Sequence, residues 1–185
     1  AQNPVIPNVS QFNAGMYTVT VTDFTGCSSI ASVNVDVNSL PIATAGADPN
    51  PLCEGEDLFL LASGGMFYNW EGPAGFGSTA QNPLITNVSQ LNAGIYIVTV
   101  TGINNCSSTA SVNVEVNQLP IATADANPNP VCEGGDLQLS ASGGTLYNWE
   151  GPNGFVSALE NPLIADISQL NAGIYMVTVT DANGC

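Results

Sequence analysis

The chain has no lysine, no arginine and no histidine. Against 15 Asp plus Glu, this leaves a formal net charge of −15 over 185 residues. Each absence removes a class of chemistry. Nothing is present to neutralise phosphates, so nucleic acid is excluded as a partner, and an anionic membrane surface repels the chain. Without histidine there is neither a His-based triad nor an imidazole metal ligand. Without lysine there is no Schiff base. The composition points away from an enzyme. No carboxylate can meet a side-chain cation, so the fold must rest on burial and backbone pairing. Apolar runs are also short: none approaches the roughly 18 residues of a membrane span, so no membrane insertion is expected.

Acidity goes with disorder only when hydrophobicity is low, and here 44% of residues are hydrophobic. The charge is read as a soluble, self-repelling surface. A sharper reading is a surface suited to cation-rich, protease-rich water outside cells, where trypsin finds no bond to cut. There is no initiator Met and no charged segment ahead of an apolar core, so no secretion signal is read in these residues. They are taken as a window on a longer array.

What is present is repetition. The stretch "NAGMYTVTV" at positions 13–21 returns as "NAGIYIVTV" at 92–100 and "NAGIYMVTV" at 171–179, each 79 positions after the last. Residues 28–79 align with 107–158 without a gap, and 38 of 52 positions are identical. The cysteines keep the same step: Cys27, Cys106 and Cys185 form one series, Cys53 and Cys132 another. A fixed period of this length marks a tandem array. The expected organisation is the C-terminal part of one repeat in 1–39, a complete repeat in 40–118, and a repeat lacking its last strand in 119–185.

Within one repeat the pattern is strand-like. Leu58, Leu60 and Ala62 share a face before Gly64-Gly65. Tyr68 and Trp70 alternate with Asn69 and Glu71 before Gly72-Pro73. "NPLITNVS" reads as a further strand and "QLNAG" as a tight connection. Tyr96, Val98 and Val100 alternate with Ile97, Thr99 and Thr101, and "STASVNVEVN" places Val112, Val114 and Val116 inward. Period-2 runs with turn signals every 8–12 residues imply short strands, and about seven of them make an all-β sandwich. In "NAGIY" a Gly precedes a Tyr at the start of a strand, as in the tyrosine corner of immunoglobulin-like sandwiches. Tyr17, Tyr96 and Tyr175 take that place, and Trp70 and Trp149 take that of the strand C core Trp. All five are expected in the core. The alternation points the tryptophans inward, against a carbohydrate-binding role.

The stretch "PVCEGGDLQLSASGGTLYNWEGPNGF", followed by "NPLIADISQLNAGIYMVTVTDANGC", resembles the Ig-like and PKD-like repeats of large secreted surface proteins of the Bacteroidota, including adhesins and gliding-motility-associated proteins. The resemblance runs over the whole chain. It implies tandem immunoglobulin-like repeats acting as spacers, stalks or adhesive units, with no catalytic residue to carry over. The core cysteines of antibody domains are absent: Ala62 and Ala141 stand at the strand B position, Val98 and Val177 at the strand F position.

In an Ig-like unit, Cys53 precedes strand B at the bottom and Cys106 follows strand F at the top. Strands rise about 3.3 Å per residue, and bridged Cα atoms lie within about 7 Å. Those two should not pair. The next repeat sets its top against this bottom, so a Cys53–Cys185 bridge is expected, with Cys27, Cys106 and Cys132 seeking partners elsewhere. The competing pairing is Cys53–Cys106 and Cys132–Cys185 within each repeat, with Cys27 left over. Recurring cysteines suggest an oxidising, extracellular or cell-surface setting.

Other features carry weaker readings. Asp48, Glu54, Glu56, Asp57, Asp125, Glu133 and Asp136 lie near the junctions. Without EF-hand or RTX spacing they read as solvated carboxylates and imply no cofactor, and calcium rigidifying the joints is the competing reading. "NVS" at Asn8 and Asn87 and "NCS" at Asn105 match a glycosylation acceptor, a weak signal in a bacterium. Phe59 and Leu61 face outward, where Gln138 and Ser140 stand in the next repeat, and suggest a lateral contact. The expected role is a structural repeat of a secreted fibre or adhesin stalk. Its partners are neighbouring repeats of one chain and other copies in a filament. The alternatives are a glycan- or surface-binding module and an accessory module of a secreted polysaccharide-degrading enzyme.

Overall fold

The structure, a computed structural model, describes residues 2–185. The chain is all-β. Residues up to Val35 contribute β1 (Gly15–Thr22) and β2 (Ser28–Val35). Nine strands follow: β3 (Thr44–Asp48), β4 (Leu52–Cys53), β5 (Leu58–Ser63), β6 (Phe67–Glu71), β7 (Gly77–Ser78), β8 (Leu84–Ile85), β9 (Gly94–Thr101), β10 (Ser107–Val114) and β11 (Val116–Asn117). The remainder carries β12 (Thr123–Asn127), β13 (Leu137–Ser142), β14 (Leu146–Glu150), β15 (Val156–Ser157), β16 (Leu163–Ile164) and β17 (Met176–Thr180). The elements recur at the sequence period: β5 begins at 58 and β13 at 137, 79 positions later. Among the described residues helix is confined to 3-10 turns such as Gln90–Asn92.

Strand order identifies the fold. Hydrogen bonds link β3-β5-β8 in one sheet and β10-β9-β6-β7 in another, and later β12-β13-β16 and β15-β14-β17. In immunoglobulin letters these are A-B-E and G-F-C-C′, the latter without G in the last set. This is the immunoglobulin-like β-sandwich arrangement.

The chain divides into two compact units. One takes in residues up to Gly46, Leu61–Pro83 and Tyr96–Val112. In it β6 pairs antiparallel with β9, Trp70 opposite Val98, and Ala62, Trp70, Tyr96, Val98 and Val100 are buried. Tyr96 meets Phe76 edge-on at 5.5 Å between ring centroids. The same unit holds the β1–β2 pair, eight residues in register from Gly15↔Val35 to Thr22↔Ser28. Among the described residues no second sheet covers that pair, and Tyr17, expected in the core, is 38% exposed. Burial needs an opposing sheet as well as an alternating strand.

The other unit takes in Ala47–Leu60, Leu84–Ile95 and Asn113–Cys185. Its later part packs Leu137, Leu139, Ala141, Trp149 and Ile167 together. Fully burying an aliphatic or aromatic side chain of this kind stabilises by about 1.5–3 kcal/mol. The Trp149 indole N–H donates to the Glu160 carbonyl at 3.4 Å, and among the described residues no buried side-chain nitrogen or oxygen lacks a partner. Tyr175 is half-buried rather than fully in the core. The strand expected over "NPLITNVS" is only Leu84–Ile85. β17 starts at Met176, whereas β9 starts at Gly94, the equivalent of Gly173. β9 has β10 beside it; among the described residues β17 pairs with β14 alone.

Candidate stapled junction

Cys53 ends β4, and Cys185 closes the turn after β17. A disulfide joins them, with Cα atoms 5.6 Å apart across 132 positions of sequence. Of the two pairings weighed from the sequence, this is the one between consecutive repeats. Cys27, Cys106 and Cys132 are free thiols.

Both sulfurs are presented by turns built from carboxylates. On the Cys185 side, Asp181 Oδ1 accepts the backbone N–H groups of Asn183 (2.8 Å) and Cys185 (2.9 Å). The Asp181 N–H donates to the Cys185 carbonyl at 2.8 Å, closing the loop. Asp23 does the same for Cys27, accepting the N–H of Thr25 and Cys27 and the Thr25 hydroxyl. The Thr25 hydroxyl, followed by the Cys27 N–H, holds the Asp23 carboxyl below its ordinary value. In the middle repeat, Gly102 stands at this place and Asn104 Oδ1 caps the Cys106 N–H. On the Cys53 side, Glu56 Oε2 accepts the Cys53 N–H at 2.8 Å, and the Glu56 N–H returns to the Cys53 carbonyl.

The backbone around Cys53 is held by the outgoing strand. β11 runs parallel to β4, Val116 beside Leu52 and Asn117 beside Cys53. Leu52 N–H donates to the Glu115 carbonyl and Glu54 N–H to the Asn117 carbonyl. Asn50 fixes the crossover with both ends of its amide: Nδ2 donates to the Asn113 carbonyl at 2.8 Å and Oδ1 accepts the Glu115 N–H at 2.9 Å. Gln90 Nε2 donates to the Val116 carbonyl at 2.8 Å. The sequence reading assigned no role to Asn50 or Gln90. The signal available was the recurrence of Pro-Asn-Pro at 49–51 and 128–130.

The remaining candidates are dispersed. Among the described residues, no three Cys, Asp or Glu side chains are grouped to hold a metal ion. Glu54, Asp57, Asp125 and Asp136 instead accept backbone N–H groups, of Gln90, Asn87, Ala126 and Asp166. Asp48 and Glu133 lie at the surface. Asn8, Asn87 and Asn105 all adopt left-handed backbone, φ 51°, 53° and 60°, a conformation asparagine tolerates better than most residues. Phe59 and Leu61 are 47% and 44% exposed, and Phe59 lies opposite Leu84. Trp70 is buried with its indole N–H bonded to the Gln81 carbonyl. Tyr17 and Tyr175 donate their hydroxyls to the carbonyls of Asn13 and Asn171, four residues upstream, each at 2.8 Å. That is the tyrosine-corner bond.

No protein-family model matches the chain, and no curated protein matches its sequence. Solved structures do. Murine CEACAM1b is 15% identical over 76% of this chain and 93% of its own, with a TM-score of 0.39. The three N-terminal domains of the bacteriophage RB49 Highly Immunogenic Outer Capsid protein are 16% identical over 74% of this chain, which spans about half (53%) of theirs, with a TM-score of 0.45. The N-terminal eight Ig domains of Down Syndrome Cell Adhesion Molecule are 18% identical over 80% of this chain and 24% of that one, with a TM-score of 0.33. The fold assignment rests on the strand order described above.

Proposed function

We propose that the chain is a structural segment of a secreted or cell-surface fibre, a spacer whose consecutive β-sandwich repeats are locked to one another. One observation carries the reading. The Cys53–Cys185 bridge ties the strand B side of one repeat to the strand F turn of the next, and β11 leaves its repeat hydrogen-bonded to β4 with almost no free linker before β12. A joint closed by a disulfide, with its exit strand pinned and its linker short, resists bending, where a free linker would not. The disulfide fits an oxidising, extracellular setting. Among the described residues no helix is long and apolar enough to cross a membrane. The sequence resemblance extends the reading to stalks of large bacterial surface adhesins of the Bacteroidota. The partners are then neighbouring repeats of one chain, and the role is non-catalytic and needs no cofactor.

A second reading is an adhesive module. Phe59, Leu61 and Leu84 present apolar surface on the outer face of their strands, and side-by-side contact between fibres would use them.

Force spectroscopy tests the spacer reading. Pulled from its ends with the bridge intact, the chain keeps the 132 positions between Cys53 and Cys185 out of the extension. Reduction releases roughly 450 Å more contour, at about 3.4 Å per residue. Small-angle scattering of the monomer should show a narrower spread of dimensions than for Cys53→Ser. Equal spreads would end the reading of a stiffened spacer.

A further inference from the structure

The chain carries three Asn-x-Ser acceptor motifs, at Asn8, Asn87 and Asn105, and the spacer role uses none of them. Asn87 has a counterpart 79 positions on, Asp166, that shows what the fold itself needs at this place. Both residues adopt left-handed backbone with φ 53°, which asparagine and aspartate both tolerate. Both tips are tied in the same way. The Asn87 N–H donates to Asp57 Oδ1 at 2.9 Å, and the Asp166 N–H to Asp136 Oδ1 at 3.2 Å. The residue after each is bonded through its backbone on both sides, Val88 to Gly55 and Glu56, Ile167 to Gly134 and Gly135. A carboxylate or an amide therefore serves equally at the tip, and nothing in the turn uses the amide nitrogen of Asn87.

The surroundings leave that nitrogen open. Asn87 is exposed, while Val88 beside it is only 2% exposed. The Asn87 side-chain amide makes no hydrogen bond to any described residue. The polar side chains that follow are engaged: Ser89 Oγ donates to Asn92 Oδ1 at 3.2 Å, and Gln90 Nε2 to the Val116 carbonyl at 2.8 Å. A substituent on Asn87 Nδ2 thus costs the fold no hydrogen bond. The place is beside the staple: a Cβ at Gly55, two residues from Cys53, would stand 3.8 Å from Asn87 Oδ1.

We propose that Asn87 is an acceptor of an N-linked oligosaccharide, which then stands beside the turn that carries Cys53. The motif needs an amide and a hydroxyl two residues on, and Asn87 and Ser89 supply them. The donor class is an oligosaccharide on a polyprenyl pyrophosphate, delivered by an oligosaccharyltransferase. The bond from the sugar C1 to Asn87 Nδ2 forms as the bond from C1 to the pyrophosphate oxygen breaks. The amide gives up one proton to a base of the transferase. The polyprenyl pyrophosphate leaves with the bonding electron pair, and nothing is oxidised or reduced. In the folded chain Asn92 holds the Ser89 hydroxyl, so transfer precedes closure of this turn. The inference goes beyond the spacer reading and shares only its extracellular setting, where a glycan is a bulky, solubilising addition to the surface.

The test is secretion of the intact chain from cells that carry an oligosaccharyltransferase. Glycans are then released by peptide-N-glycosidase in heavy-oxygen water, and non-reduced peptides are weighed after cleavage at Asp and Glu. The expected result is heavy-oxygen aspartate at position 87, only after glycosidase treatment. Asn87→Asp should lose the glycan and keep the Cys53–Cys185 bridge, because Asp166 already serves the same turn. Ser89→Thr keeps a hydroxyl and should retain the glycan; Ser89→Ala should lose it. A secreted, bridged wild-type chain with unmodified Asn87 overturns the proposal and leaves the spacer reading standing. Label that appears without the glycosidase, or occupancy that survives Ser89→Ala, overturns it too.

Discussion

A disulfide joins Cys53 to Cys185, and their Cα atoms lie 5.6 Å apart. The bridge closes a loop of 132 positions, for which chain entropy alone gives a stabilisation of about 5 kcal/mol. Cys53→Ser, Cys185→Ser and the double variant should each lose a similar amount, because either change removes the same bond. Chemical denaturation under non-reducing conditions measures this. A double variant that loses twice what each single variant loses would mean that the two thiols contribute separately and that the bridge does not form.

Asn50 is the polar counterpart of the staple. Replacing it by Ala removes its bonds to the Asn113 carbonyl and the Glu115 N–H, at about 0.5–1.5 kcal/mol, since water reaches both groups. Asn129→Ala, at the equivalent position 79 residues on, should cost less than about 0.5 kcal/mol. Asn50→Asp keeps an acceptor for Glu115 but offers no donor to Asn113, and it should fall between the two. Amide hydrogen exchange at Glu115 should accelerate in Asn50→Ala and stay slow in Asn129→Ala.

The sandwich was legible because one face of each strand is apolar. Leu58, Leu60 and Ala62 are buried, while Phe59 and Leu61 between them are exposed, as strict alternation requires. The bridge was legible because strand direction fixes which end of a repeat each cysteine occupies. The crossover of β11 was not. Val112, Val114 and Val116 alternate without interruption, so the run reads as one strand. Alternation reports which face a side chain takes and says nothing about which strand accepts the backbone bonds. Those bonds switch at Glu115, where Asn50 takes the N–H. The three tyrosines make the complementary point. Tyr17, Tyr96 and Tyr175 share one motif, yet they are exposed, buried and half-buried, because burial depends on what covers the strand.

That difference predicts unequal costs for the same substitution. Tyr175 is half-buried, its hydroxyl bonds the Asn171 carbonyl, and its ring meets Phe155 edge-on at 5.5 Å. Burial also holds its phenol above the ordinary value. Tyr175→Phe should cost about 1 kcal/mol. Tyr17→Phe, on an exposed hairpin, should cost a few tenths. Equal losses in denaturation would show that the corner bond contributes independently of burial.

Two glycines separate backbone strain from collision. Gly64 has φ +109°, and a Cβ there would run into the Ile42 carbonyl oxygen; Gly75 has φ +75° with open space around it. Gly75→Ala should cost about 1 kcal/mol from conformation alone. Gly64→Ala carries that strain and also displaces the backbone at Ile42, so its loss should exceed 2 kcal/mol or so. Thermal unfolding of the two variants checks the order.

The turn at Asp23 should respond to acid. Its carboxyl lies below the ordinary value near 3.8, held there by the Thr25 hydroxyl first and then by the Cys27 N–H. A group with a depressed folded value binds its proton less readily when folded than when unfolded. Its contribution is therefore complete above the ordinary carboxylate range and is lost as pH falls through the folded value. Carbon-detected NMR should place the Asp23 midpoint below that of a carboxylate in an unstructured peptide. The Thr25 and Cys27 amide shifts should titrate with the same midpoint. Thr25→Ala removes the first cause and should raise that midpoint. A midpoint that does not move would assign the depression to the backbone donors alone.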